Sequence, residues 1–243
     1  MKLLTAQMKM ADAIHSNYLL IPVVHRFGVH LGFGEKTIDE VCADHSIDTD
    51  FFLAIINAFS NENYFPEKKL QTFNVLTIVE YLKKTHAYYR DTQIPVIEKS
   101  LGTLLTESPK QEKSLRLVKK FFLEYKNELL THLRQEEKYT FPYVEEVYRL
   151  YSGEGTPSRK KSALQYSMKI YEEEHDEIDE KLFDLKNILI KYIGGEYDES
   201  ACATIVFELF RLERDVKDHA RIENNILMPM VAEMEKSLKR RAG

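Results

Sequence analysis

The sequence predicts an all-α protein, an antiparallel four-helix bundle preceded by a small helical N-terminal domain. Four long segments, about 74–105, 110–140, 160–193 and 199–227, carry apolar residues at helical spacing, with breaks at Ser108-Pro109, at 151–157 and at Gly194-Gly195. Long helices joined by short connections pack antiparallel. Two of these segments also repeat each other. Residues 128–142 read Glu-x3-His-x-Arg-x-Glu-x5-Pro (Glu128, His132, Arg134, Glu136, Pro142), and residues 215–229 read Asp-x3-His-x-Arg-x-Glu-x5-Pro (Asp215, His219, Arg221, Glu223, Pro229). His86 and His175 lie 46 and 44 positions upstream of His132 and His219, so the chain contains an internally duplicated helix pair. The strand signal is weak, since Val and Ile fall at helical spacing and no Asn-Gly or Asp-Gly turn joins alternating runs.

The first 62 residues form the small helical domain. In it, Thr37-Ile38-Asp39-Glu40 has the pattern of a capped helix start, and Asp48-Thr49-Asp50 precedes the apolar run Phe51 to Phe59 in the same way. That helix pair resembles a helix-turn-helix only in outline, because residues 50–59 contain no Lys or Arg to meet DNA. The histidines here, His15, His25, His30 and His45, lack acid or thiol partners at ligand spacing and are expected to be structural. Residues 63–73 are the linker and 74–243 the bundle. Within the first long segment, Pro95 is expected to kink or end the helix.

With 243 residues, 44% of them apolar, the chain can bury a sizeable core. A net charge of −5 excludes a nucleic-acid footprint, and the terminal Lys239-Arg240-Arg241 cluster is too short to change that. Cys42 and Cys202 are too few and too far apart for a disulfide framework or a zinc ribbon, which fits a reducing compartment. No signal-type N-terminus and no long apolar window is present, so a cytoplasmic, soluble protein is expected, with no membrane partner.

The chemistry lies in six residues: His86, His132, Glu136, His175, His219 and Glu223. Residues four apart on a helix lie about 5–6 Å apart at Cβ on one face. His132 with Glu136, and His219 with Glu223, therefore each present a nitrogen and a carboxylate to one point. One such pair alone is commonly a surface hydrogen bond; the duplicated pattern, with a His on each remaining helix, points to a metal centre. Four imidazoles and two carboxylates suit two iron ions, though zinc or manganese fits the same donors. Glu128 and Asp215, one turn before His132 and His219, are placed to accept the other ring N–H and fix the tautomer. A ferritin-like site needs two Glu-x-x-His motifs, and only Glu172-x-x-His175 is present, in a run that reads as a solvated face.

On these residues the chain resembles the hemerythrin-like superfamily and, within it, the iron–sulfur cluster repair di-iron proteins, over about residues 74–235. Oxygen-carrying hemerythrins typically carry five histidines and a His-x4-Asp; the His-x3-Glu found twice here is similar to the repair family. The resemblance implies two iron ions, with His86, His132, His175 and His219 as ligands. It implies Glu136 and Glu223 as carboxylate bridges beside an oxo or hydroxo bridge. Glu128 and Glu174 occupy the positions that line a path to the metals in that family. The N-terminal domain departs from the pattern: the stretch near His30-Leu31-Gly32-Phe33-Gly34-Glu35 lacks the family's Cys-Cys motif, although 37–43 is similar to the helix that follows it.

The resemblance implies support for repair of iron–sulfur clusters damaged by nitric oxide or oxidants, with iron donation as one route and damaged iron–sulfur proteins as partners. An O2- or NO-binding sensor and a di-iron NO or peroxide reductase are the alternatives, for the last of which Tyr88, Tyr89, Tyr139 and Tyr143 offer electron or proton routes. No catalytic residue is assigned, and spacing alone does not choose among these readings.

Overall fold

The computed structural model describes residues 3–61, 63–108, 110, 112–154, 169–194 and 196–242, with only the backbone described for 112, 169–180 and 242. The chain divides into two compact units, Met1–Thr85 with Asn225–Met230, and His86–Asn224 with Val231–Gly243. Among the described residues there are helices and no strands, the one β contact being an isolated bridge between Lys9 and Thr37.

In the first unit, α1 (Met10–Ser16), α2 (Leu20–Arg26), α3 (Ile38–Asp44) and α4 (Thr49–Ser60) are short, and their ends are set by local chemistry. Thr37 and Glu40 close a reciprocal capping box at the start of α3, and the Asp48 carboxylate accepts from the Phe51 amide at the start of α4. Both starts are those the sequence predicts, each satisfying amides that would otherwise lack partners. Asn57, buried in α4, is held by paired hydrogen bonds to the Leu4 backbone, at 2.7 and 2.9 Å. Phe27, Phe51, Phe52, Phe73 and Tyr81 meet mostly edge to face, the arrangement that aromatic quadrupoles favour. Burial pushes the Cys42 thiol up to about 11, so it serves as a small apolar side chain rather than a reactive thiolate. A single-turn helix, α5 (Glu67–Leu70), precedes the long helix α6 (Val75–Tyr88).

The second unit is built from α7 (Ile94–Glu107), α8 (Glu112–Gln135), α9 (Phe141–Tyr151), α10 (Lys169–Tyr192), α11 (Glu199–Ile222) and α12 (Met228–Ala242). Helix α7 packs on α8, α8 on α10, α10 on α11 and α11 back on α7, which closes a four-helix ring. Neighbours run antiparallel: Tyr89 meets Asp215 while Ser108 meets Asp198, and Lys110 meets Glu196 while Lys181 meets Glu128. The core inside the ring is apolar and periodic, with Ile97, Leu101 and Leu104 from α7, Leu115, Val118, Phe122, Tyr125 and Leu129 from α8, Leu182, Leu185 and Leu189 from α10, and Ile205, Leu209 and Leu212 from α11. The helix expected over 160–193 is described from Lys169, and its first nine positions lie outside the described residues.

Three prolines each follow a wider helical turn. Pro95 does not end the helical segment; the interruption falls just before it. A π-helical turn, Tyr89–Gln93, joins α6 to α7, and Pro95 is the second residue of α7. The same device recurs at Glu136–Thr140 before Pro142 and at Glu223–Leu227 before Pro229. Proline offers no N–H to the carbonyl four residues back and its ring crowds that carbonyl, so a locally wider turn lets the helix pass. For this reason the second and fourth helical segments continue to Tyr151 and Ala242, well beyond the sequence-based limits of 140 and 227.

Candidate metal centre

The donors lie where the long helices are interrupted by these wider turns. His86 is in the last turn of α6, His132 in the last turn of α8 and His219 in the last turn of α11; Glu136 and Glu223 each begin a π turn. All five side chains are buried, at no more than 6% exposed. Burying two carboxylates is expensive unless each finds positive or donating partners. Here they find imidazoles. His132 Nε2 lies 2.9 Å from Glu136 Oε1, and His86 Nε2 lies 3.1 Å from Glu136 Oε2. His219 Nε2 lies 4.0 Å from that same Oε2, 3.2 Å from Glu223 Oε1 and 3.2 Å from His86 Nε2.

One carboxylate therefore addresses two sets of nitrogens, His132 on one oxygen and His86 with His219 on the other. His86, Glu136, His219 and Glu223 each offer a donor atom within 4.8 Å of the other three. A first-row ion bound at about 2.0–2.2 Å has neighbouring donors about 3 Å apart and opposite ones about 4 Å apart, so the separations of 3.1, 3.2 and 4.0 Å above suit a cation among these groups. Two imidazole nitrogens at 3.2 Å cannot both be bare acceptors, and a proton or a metal ion must lie between such groups.

Electrostatics agree with that picture. Burial opposes ionisation of Glu136, but hydrogen bonds from His132, His219 and His86 hold its carboxyl well below the usual carboxylate range. Burial likewise opposes protonation of His219, but the Glu223 and Glu136 carboxylates outweigh it and carry the imidazole up to about 10. A cation that takes this place displaces that proton. Rings wall the donors in: Phe141 lies 5.2 Å from the His86 ring, and the fully buried Tyr89 stands edge-on to His219 at 6.0 Å.

The structure brings together five of the six residues predicted as ligands. The side chain of the sixth, His175, and that of Glu174 lie outside the described residues. The two outer carboxylates are placed differently from each other. Glu128 is exposed and pairs with Lys181 at 2.6 Å. Asp215 is buried and accepts from the Tyr89 hydroxyl at 3.1 Å, whereas His219 Nδ1 has no hydrogen-bond partner among the described residues. Arg134 and Arg221, also repeated, turn to local partners, the Leu130 carbonyl and Asp218.

One participant escaped the sequence reading. Glu137 lies 3.2 Å from His86 Nδ1 and is itself held by Arg90 at 3.3 Å. The His86 hydrogen bond, aided by Arg90, lowers its pKa against the opposing effect of partial burial. Its only signal was the doubled acid Glu136-Glu137, and on a regular helix adjacent residues point about 100° apart, which assigns just one of them inward. The wider turn that begins at Glu136 lets both carboxylates reach His86.

A helical bundle with a buried His and Glu cluster at its interior defines a cation-binding helical-bundle protein. The family described as the hemerythrin HHE cation binding domain matches residues 77–231, a span that contains every donor named above. The chain belongs to that family, and no curated protein matches it. Among the described residues no helix is long and apolar enough to cross a membrane.

Proposed function

We propose that the chain is a di-iron protein that supports repair of damaged iron–sulfur clusters by supplying iron. The observation that carries the two-metal reading is Glu136, whose two oxygens serve different imidazole sets at 2.9 and 3.1 Å. In this reading His86, His132, His175 and His219 would supply imidazoles, and Glu136 and Glu223 carboxylates, to two iron ions. Bound iron supplies a redox-variable Lewis acid with room for a small ligand. The protein residues hold the Glu136 carboxylate ionised, aim the imidazoles and exclude bulk water with Phe141 and Tyr89.

The donor role is supported by similarity to the repair family and by a donor set of only six side chains for two ions. Incubation of the iron-loaded protein with an apo iron–sulfur protein tests it: iron appears in the rebuilt cluster at the expense of the donor. No transfer above the rate from free iron overturns it.

A second reading, a protein that binds O2 or NO and signals the event, draws on the buried aromatic wall beside the donors. A reversible spectral change with one ligand per centre and no iron loss favours that reading. Sustained consumption of NO or peroxide in the presence of a reductant favours a reductase instead.

A further inference from the structure

His86 and His219 enter the four-donor cluster together, yet their outer nitrogens are treated differently. His86 Nδ1 meets Glu137 at 3.2 Å, and Glu137 is tied by Arg90, which also grips Asp91 at 3.1 Å. His219 Nδ1, on a side chain more than nine-tenths buried, has no hydrogen-bond partner among the described residues; the carboxylate one turn earlier on its helix, Asp215, is engaged by Tyr89. A ligating imidazole whose second N–H is held by a carboxylate is fixed in tautomer and orientation and is the stronger base. One that lacks this support reorients more easily.

We propose that Glu137, backed by Arg90, is a positioning residue that makes His86 the anchored ligand of the centre, and that His219 is the ligand that lets go when the metal leaves. The inference rests on the metal-binding reading above and adds a direction to it. Release of a bound metal would begin at the His219 imidazole, with His86 and the Glu136 carboxylate keeping their places. Glu137 is one-third exposed and Arg90 nearly half exposed, so both can be replaced without opening the core.

The test is the rate at which a chromogenic chelator removes Fe2+ from the anaerobically loaded full chain. Glu137→Gln is expected to release iron faster by roughly ten- to a hundredfold. Arg90→Gln is expected to change the rate in the same direction but less, and Asp215→Asn less than Glu137→Gln. Equal rates for Glu137→Gln and the unaltered protein, or a larger effect from Asp215→Asn, overturn the proposal.

A second readout needs no metal. In 15N spectra of the metal-free chain, His86 Nδ1–H is expected to be protected from exchange and to lose that protection in Glu137→Leu, and an unchanged signal overturns the proposal. If the unaltered protein takes up no iron, the metal reading fails, while these spectra still decide whether Glu137 holds His86.

Discussion

The duplicated segments 128–142 and 215–229 put the same donors into different surroundings. In each, a His and a Glu four residues apart meet at the bundle interior, His132 with Glu136 at 2.9 Å and His219 with Glu223 at 3.2 Å. Around them the copies diverge. The acid that opens the first copy, Glu128, is exposed and bonded to Lys181; the acid that opens the second, Asp215, is buried beneath Tyr89. Glu136 also draws His86 and His219 onto its second oxygen. Duplication preserves the His and Glu pair that faces the interior. What lies behind those donors is set by the other helices, and it makes a symmetric pattern into an asymmetric site.

The strongest way to break the comparison is to remove the carboxylate that histidines of both copies face. Glu136→Ala is expected to abolish metal binding, seen as iron per chain near zero with helical circular dichroism retained, because three imidazoles lose their common partner. His132→Ala and His219→Ala are expected to be milder, each removing at least one iron and leaving helical content largely intact. Unchanged iron in both would remove the site assignment.

A third prediction concerns pH. The His219 imidazole in the metal-free protein has its pKa raised from 6.5 to about 10 by Glu223 and Glu136 against the opposing effect of burial. A folded-state value above the unfolded one stabilises the fold fully below about pH 6.5, and that contribution is lost as pH rises through about 10. Thermal unfolding of metal-free protein should therefore occur at lower temperature as pH goes from 7 to 10, and His219→Gln should flatten that dependence. Iron competes with the same proton, so affinity should rise with pH over the same window.

The smallest expected effects sharpen the contrast between the outer acids. Asp215→Asn disturbs the buried hydrogen bond from the Tyr89 hydroxyl and should cost about 1–3 kcal/mol of stability. Glu128→Gln removes an exposed ion pair and should cost about 1 kcal/mol or less. Denaturant unfolding of the two variants decides it, and equal losses would mean that the copies are more alike than their surroundings suggest.

The helices of both units were legible because their information is local and periodic: helical apolar spacing, caps at Thr37 and Asp48 in the first unit, and in the bundle a repeat whose His and Glu share a helix face. His132 with Glu136 and His219 with Glu223 meet as their spacing requires, and His86 reaches them from another helix. The path of the chain past its prolines was not legible, since Pro95, Pro142 and Pro229 usually mark an end, and only the surrounding packing selects a wider turn instead. Glu137 was missed for the same reason, its inward reach depending on that turn. The partners of Glu128 and Asp215 were equally hidden, because Lys181 and Tyr89 come from other helices and no spacing along one helix announces them.

The most direct test of the metal centre is the iron, zinc and manganese content of the full chain purified without oxygen from iron-replete cells. Close to two irons per chain, falling to near zero in Glu136→Ala, is the expected result. Iron-free protein that cannot be loaded with Fe2+ under anaerobic conditions would contradict it, and would leave the buried imidazoles and carboxylates as a proton-sharing network alone.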